Sequence, residues 1–180
     1  DRLAEQLASV LRAWGMSEEH VQAAVPMILY ADIAGIDSHG INRLKPIYID
    51  RLAEGIVSPV TNFEVDRDCK ATAVVDGHHG MGMVIGKRCM EMAMEKARVH
   101  GIGTVVARNS THYGYAAHYP LMAVKANMIG VTATNARPSI APTHGTENML
   151  GTNPLVFGFP TDEEFPFTND YATSIIQRGK

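Results

Sequence analysis

Apolar positions recur every three to four residues in the first third of the chain. Later they fall into short runs broken by turn residues. Leu3, Leu7, Val10 and Leu11 mark one helical stripe. Val21, Ala24, Val25, Ile28 and Leu29 mark a second. Ser17-Glu18-Glu19-His20 opens it, with Ser17 as N-cap and acids in the first turn, and it is expected to stop near Gly35. A turn-rich Asp37-Ser38-His39-Gly40 follows. The next helix is expected from about Pro46, a residue tolerated at a first helical position, to Glu54, ending at Gly55.

From about Asn62 the pattern changes. Phe63 to Val65 and Ala71 to Val75 read as short strands, the second closed by Asp76-Gly77. Residues 81–99 form a long helical candidate ending at Gly101, and Gly103 to Ala107 reads as a buried strand. A helix over 114–126 and strands at Ile129 to Thr134 and Leu155 to Phe159 complete the series. This alternation predicts an α/β layered domain. The expected division is a helical region over 1–60, carrying substrate and catalytic residues, and an α/β domain from 61 onward. Both ends fall inside patterned segments, with Leu3 already in a stripe and Gln177 to Lys180 following an apolar pair. Part of the catalytic protein is therefore expected outside this sequence.

Composition narrows the partners. The 180 residues are 46% hydrophobic, enough to bury a core in one or two domains. Net charge is -3 and no Lys/Arg run stands out, which argues against a nucleic-acid or acidic-membrane surface. Charge or glycine interrupts every apolar stretch well short of a bilayer span. No signal-type segment opens the sequence, and Cys69 and Cys89 are too few for a disulfide framework, so a reduced, cytoplasmic protein is expected. The eight histidines lack the spacing of a zinc site, so no metal is expected. Gly77-His78-His79-Gly80-Met81-Gly82 has its glycines in the wrong order for a dinucleotide fingerprint and reads better as a tight strand-to-helix turn.

Three constellations carry candidate chemistry. The first is Asp32, Ser38-His39-Gly40 and Arg43. Reducing a 2-oxo acid needs a proton for the carbonyl oxygen, which suits histidine, and a cation for the carboxylate, which suits the planar fork of arginine. Four residues separate His39 from Arg43, so one helical turn would point them the same way. Pro46 argues against a regular helix through both, because its ring crowds the carbonyl of Asn42. A turn histidine and a solvated arginine remain the alternative. Asp32 lies near the apolar face of its helix, placed to orient His39, to pair with Arg43, or to sit exposed at a helix end. The second constellation, Asn109-Ser110-Thr111-His112-Tyr113-Gly114, follows a strand, where ligands of open α/β sheets gather. It reads equally as a capping loop. The third comprises Asn135, Gly151-Thr152-Asn153-Pro154 and Asp170-Tyr171-Ala172-Thr173-Ser174. The Asp170 segment reads as a cap opening a short helix.

Taken in order, "ADIAGIDSHGINRLKPIYIDRLAEG", "NSTHYGYAAHY", "LGTNPLVFGFP" and "DYATSIIQRGK" resemble the malate/L-lactate dehydrogenase family over essentially the whole chain. The resemblance implies a three-layer α/β/α sandwich with a mixed sheet, binding NAD or NADP without a Rossmann fold, in a homodimer of chains nearly twice this length. It implies an NAD(P)-dependent enzyme acting at C2 of a small, anionic 2-hydroxy or 2-oxo acid. A reductase of cyclic 2-imino acids and a non-catalytic metabolite-binding homologue are the alternatives. Under the resemblance His39 matches an acid/base histidine and Arg43 a substrate-site arginine, with Asp32 among the catalytic group and Ser38 and Tyr48 beside the substrate. His112 matches the other histidine given an acid/base role, and it doubles as a cofactor contact. That leaves two candidate proton donors, of which His39 is preferred. Asn135, Thr152, Asn153, Asp170, Tyr171, Ala172 and Thr173 fall on the cofactor side. Tyr171 stands where methionine is common.

Overall fold

The structure, a computed structural model, describes residues 2–175; the Ile176 to Lys180 end of the last motif lies outside the described residues. Two helices come first, α1 (Arg2–Ala13) and α2 (Glu18–Ile33). Leu7 and Leu11 of the first stripe are buried, whereas Leu3 and Val10 of the same stripe are exposed; Val21, Ala24, Val25 and Ile28 bury most of the second. The Ser17 side chain accepts the His20 N–H, as expected of an N-cap. Helix α2 ends where Gly35 turns to a φ of +70° and the Ile36 N–H bonds back to the Ala31 carbonyl, a Schellman closure.

The next helical run differs from expectation. It begins at Ile41, not Pro46, as a 3-10 turn (Ile41–Arg43), widens to π winding (Leu44–Ile49) and tightens into α3 (Asp50–Ala53). Pro46 lies inside it. The wider winding relieves the crowding its ring imposes on the preceding turn, and insertions of this kind recur at functional sites.

Strand β1 (Glu64–Asp68) pairs antiparallel with β2 (Thr72–Asp76), with a register shift between Val65 and Arg67. Helix α4 (Gly82–His100) then carries the chain to β3 (Thr104–Arg108), which lies parallel to β2. The sheet is therefore mixed, in the order β1-β2-β3. Val75, Ile85 and Cys89 form its core against Phe63 and Val105. Strand β3 is not the buried strand expected: it is an edge strand, and Val106 is 56% exposed. The Gly77 to Gly82 stretch is the strand-to-helix turn expected, with His78 and His79 both at positive φ.

The chain divides into compact units between Tyr115 and Ala116, whereas helices give way to strands between Ala53 and Glu64. In the second unit α5 (His118–Lys125) packs on β4 (Gly130–Ala133) and β5 (Leu155–Phe159), and β6 (Phe167–Tyr171) completes an antiparallel sheet in the order β4-β5-β6. Its core centres on Tyr119, Ala123 and Val156. The helix expected at 114–126 starts four residues late. Asp170 and Tyr171 end a strand and open no helix. Among the described residues no helix is long and apolar enough to cross a membrane, and Cys69 and Cys89 are free thiols.

Candidate active site

Asp32 reaches past the end of α2 and its Oδ2 accepts the Ile41 N–H at 2.8 Å, capping the 3-10 turn. A Cβ at Gly40 would collide with that carboxylate, so only glycine lets the chain pass. Of the roles open to Asp32, the structure thus shows a backbone cap, acting on the turn that carries His39. Beside it Arg43 Nε donates to the Ser38 carbonyl at 2.8 Å, and Ser38 Oγ shares a 2.9 Å hydrogen bond with His39 Nδ1. The turn ties serine, histidine and arginine together. His39 and Arg43 belong to one site although no regular α-helix runs through both.

The second element is the loop after β3. Thr111 Oγ1 donates to the Gly80 carbonyl and accepts the Gly82 N–H, which stitches the loop to the first turn of α4. Asn109 is spent likewise, its side-chain amide donating to the buried Asp76 at 2.9 Å. His112 alone of this trio turns toward the first constellation. Its ring stacks on that of His39 with centroids 5.9 Å apart and planes 21° apart. Tyr48, 1% exposed, brings its hydroxyl to 2.9 Å from His112 Nδ1. The Gly114 N–H donates to the same nitrogen at 3.2 Å. Gly114 has a φ of +80°, and a Cβ there would press on Met27 and Met83, so a side chain is excluded by conformation and by space.

Electrostatics favour the neutral form of both imidazoles. Burial pushes the His112 pKa down to about 4, helped by the positive fields of His39, Arg51 and Arg43. Burial also lowers His39, with Arg43 adding to the effect. The Tyr48 phenol is pushed up by burial and stays protonated. A neutral imidazole beside an arginine can take the proton of an alcohol, and the imidazolium so formed can return it to a carbonyl oxygen, while the guanidinium holds an anion. Two surface hollows lined by α1 and α2 residues such as Glu5, Ser9 and Pro26 contain none of these groups.

The cofactor-side candidates gather at one end of the second sheet. Asn135 follows β4, Thr152 and Asn153 precede β5, and Tyr171 ends β6, with Leu155 facing both Ala133 and Tyr171 in register. Asn153 Oδ1 accepts the Ala136 N–H at 2.8 Å, and Asp170 Oδ2 accepts the Ala117 N–H at 3.1 Å. Thr173 Oγ1 donates to the Thr152 and Asn153 carbonyls, each at 3.2 Å. Asn135 and Tyr171 are exposed and Ala172 is half-buried.

A family model described as malate/L-lactate dehydrogenase matches residues 1–180. The chain belongs to the malate/L-lactate dehydrogenase family. It is 43% identical over 180 residues to the malate dehydrogenase of Pyrococcus horikoshii, covering all of this chain and 49% of that one. It is 40% identical over 174 residues to the L-sulfolactate dehydrogenase of Methanocaldococcus jannaschii, covering 97% of this chain and 50% of the relative. The crystal structure of malate dehydrogenase from Entamoeba histolytica superposes with a TM-score of 0.95 at 45% identity, over 98% of this chain and 49% of that one. The chain thus spans about half the length of these relatives.

Within this chain, two contributors to the site carry no role in the sequence reading. Arg51 sends a positive field to His112. Its spacing of three from Tyr48 on a helical run was a usable signal. The Gly114 N–H carried no signal, because a backbone donor becomes specific only once the loop is folded.

Proposed function

We propose that the whole protein transfers a hydride between NAD or NADP and C2 of a small 2-hydroxy or 2-oxo acid of the malate or lactate kind. The observation that supports this most is the stacked His39 and His112 pair, 5.9 Å apart, beside Arg43. His39 gives or takes the hydroxyl proton, and Arg43 grips the carboxylate by its guanidinium fork. Ser38 borders the substrate, and Tyr48, expected there from the resemblance, is buried with its hydroxyl on His112. Hydroxy-acid dehydrogenases at 40% identity and above, malate and sulfolactate among them, favour this substrate class over a cyclic imino acid.

When bound, the nicotinamide supplies the hydride. In the second unit, the residues we assign to holding it are Asn135, Thr152–Asn153 and Asp170 to Thr173. The hydroxyls of Thr152, Tyr171 and Thr173 and the amides of Asn135 and Asn153 suit ribose and carboxamide, and the bonds of Asn153, Asp170 and Thr173 to backbone shape the loop that would meet it. The reading carries with it a three-layer α/β/α arrangement, a non-Rossmann cofactor site and a homodimer for the whole protein. A panel of malate, lactate, sulfolactate and a cyclic imino acid, each with NAD and NADP, tests the activity by the near-ultraviolet absorbance of the reduced cofactor. Turnover of hydroxy acids supports it. Turnover of the imino acid alone replaces the substrate class, and tight binding without any absorbance change removes the activity.

A further inference from the structure

Both imidazoles of the pair are candidates for the proton donor, and their hydrogen bonds are not equivalent. Nδ1 of His39 meets the Ser38 hydroxyl, a group that donates or accepts. Nδ1 of His112 meets the Gly114 backbone N–H, which only donates. That nitrogen therefore carries a lone pair and no proton. It follows that Tyr48, the second group on Nδ1, is a donor there too, and its 1% exposure leaves the hydroxyl little water as an alternative.

We infer that Tyr48 is a positioning residue: with the Gly114 N–H it holds His112 in the Nε2–H tautomer, as a neutral hydrogen-bond donor to the substrate oxygen. Protonating Nδ1 would break the Gly114 contact and force the Tyr48 hydroxyl to turn from donor to acceptor. No described group is bonded to Nε2, so its N–H is left for a ligand. His39 is then the imidazole that changes charge, and its proton completes the carbonyl-to-hydroxyl conversion. The groups facing His112 agree: His39, Arg51 and Arg43 all oppose a second positive charge, and burial opposes it further, in line with its depressed pKa. This inference rests on the proposed reduction for its catalytic meaning, but not for its geometry.

The test is imidazole nitrogen spectroscopy on the whole protein labelled with 15N-histidine, the His112 signals being identified by their loss in His112→Gln. Expected around neutral pH is a pyridine-type Nδ1 and a pyrrole-type Nε2. In Tyr48→Phe the His112 titration should move upward by about one pH unit, the equivalent of one lost hydrogen bond, and Nδ1–H should become populated. Oxo-acid kcat should fall while KM holds. A pyrrole-type Nδ1 in the wild type overturns the inference, as does a Tyr48→Phe titration that matches the wild type. Phenylalanine keeps the buried ring, and should that variant misfold, the wild-type spectrum decides alone. The spectra need no substrate: a pyridine-type Nδ1 in a protein that turns over nothing supports the tautomer and sinks the activity.

Discussion

The segment from Ser38 to Arg51, with the loop at His112, and the end of the second sheet at Asn135, Thr152 and Thr173 are equally rich in polar residues. They differ in where the polar atoms are spent. At the sheet end, Asn153, Asp170 and Thr173 are hydrogen-bonded to backbone groups of their own unit. In the first region Asp32, Arg43 and one nitrogen of His112 are hydrogen-bonded to backbone groups, while two desolvated imidazoles face each other. A polar side chain consumed by backbone sets a shape; one held in place with an atom to spare does chemistry. Removing one group from each region tests that distinction.

The largest effect is expected in the first region. His39→Ala should lower kcat by on the order of a hundredfold or more, read in steady-state turnover. Wild-type turnover would make this region as structural as the other. Next comes acid stability. His112 titrates near its usual 6.5 when unfolded and at about 4 when folded, so the unfolded chain binds more protons below neutrality. Stability should fall as pH drops from 6.5 toward 4, by about 2 kcal/mol once partial solvent access is discounted. Denaturant melts across that range measure it, and His112→Gln should flatten the slope. An equal slope in the variant would mean the ring is not desolvated. Arg43→Lys should raise the oxo-acid KM roughly tenfold with a smaller change in kcat, because lysine lacks the paired contact. An unchanged KM takes Arg43 off the carboxylate.

The smallest effect belongs to the sheet end. Thr173→Val should cost about 1 kcal/mol of stability and raise the dinucleotide KM only modestly, with kcat intact. A collapse of kcat would erase the contrast, since a shape-setting hydroxyl would then be doing chemistry.

What could be read beforehand follows the same division. Residue type and spacing suffice for His39 and Arg43, because an imidazole and a guanidinium four positions apart in a turn are a local fact. In the loop that holds Asn109, Thr111 and His112, residue type singles out the histidine but leaves the roles of its two polar neighbours open. Only folding shows that the first two are bound to Asp76 and to the start of α4. Asp170 misled because a cap-forming residue was taken to open its own segment, whereas its carboxylate serves the start of α5, 53 positions earlier.

By itself the sequence determined the helices of the first third, the strand–helix–strand passage from β2 to β3 and the chemical identity of the pair that could move a proton. Periodicity and capping act over a few residues, where hydrogen bonds and side-chain burial are set by near neighbours. Only the tertiary structure decided the widened winding around Pro46, the exposure of β3 and the meeting of Tyr48 with a histidine 64 residues away. Such contacts depend on loop closure and desolvation across the whole unit, and no local pattern encodes which side chains will share the space.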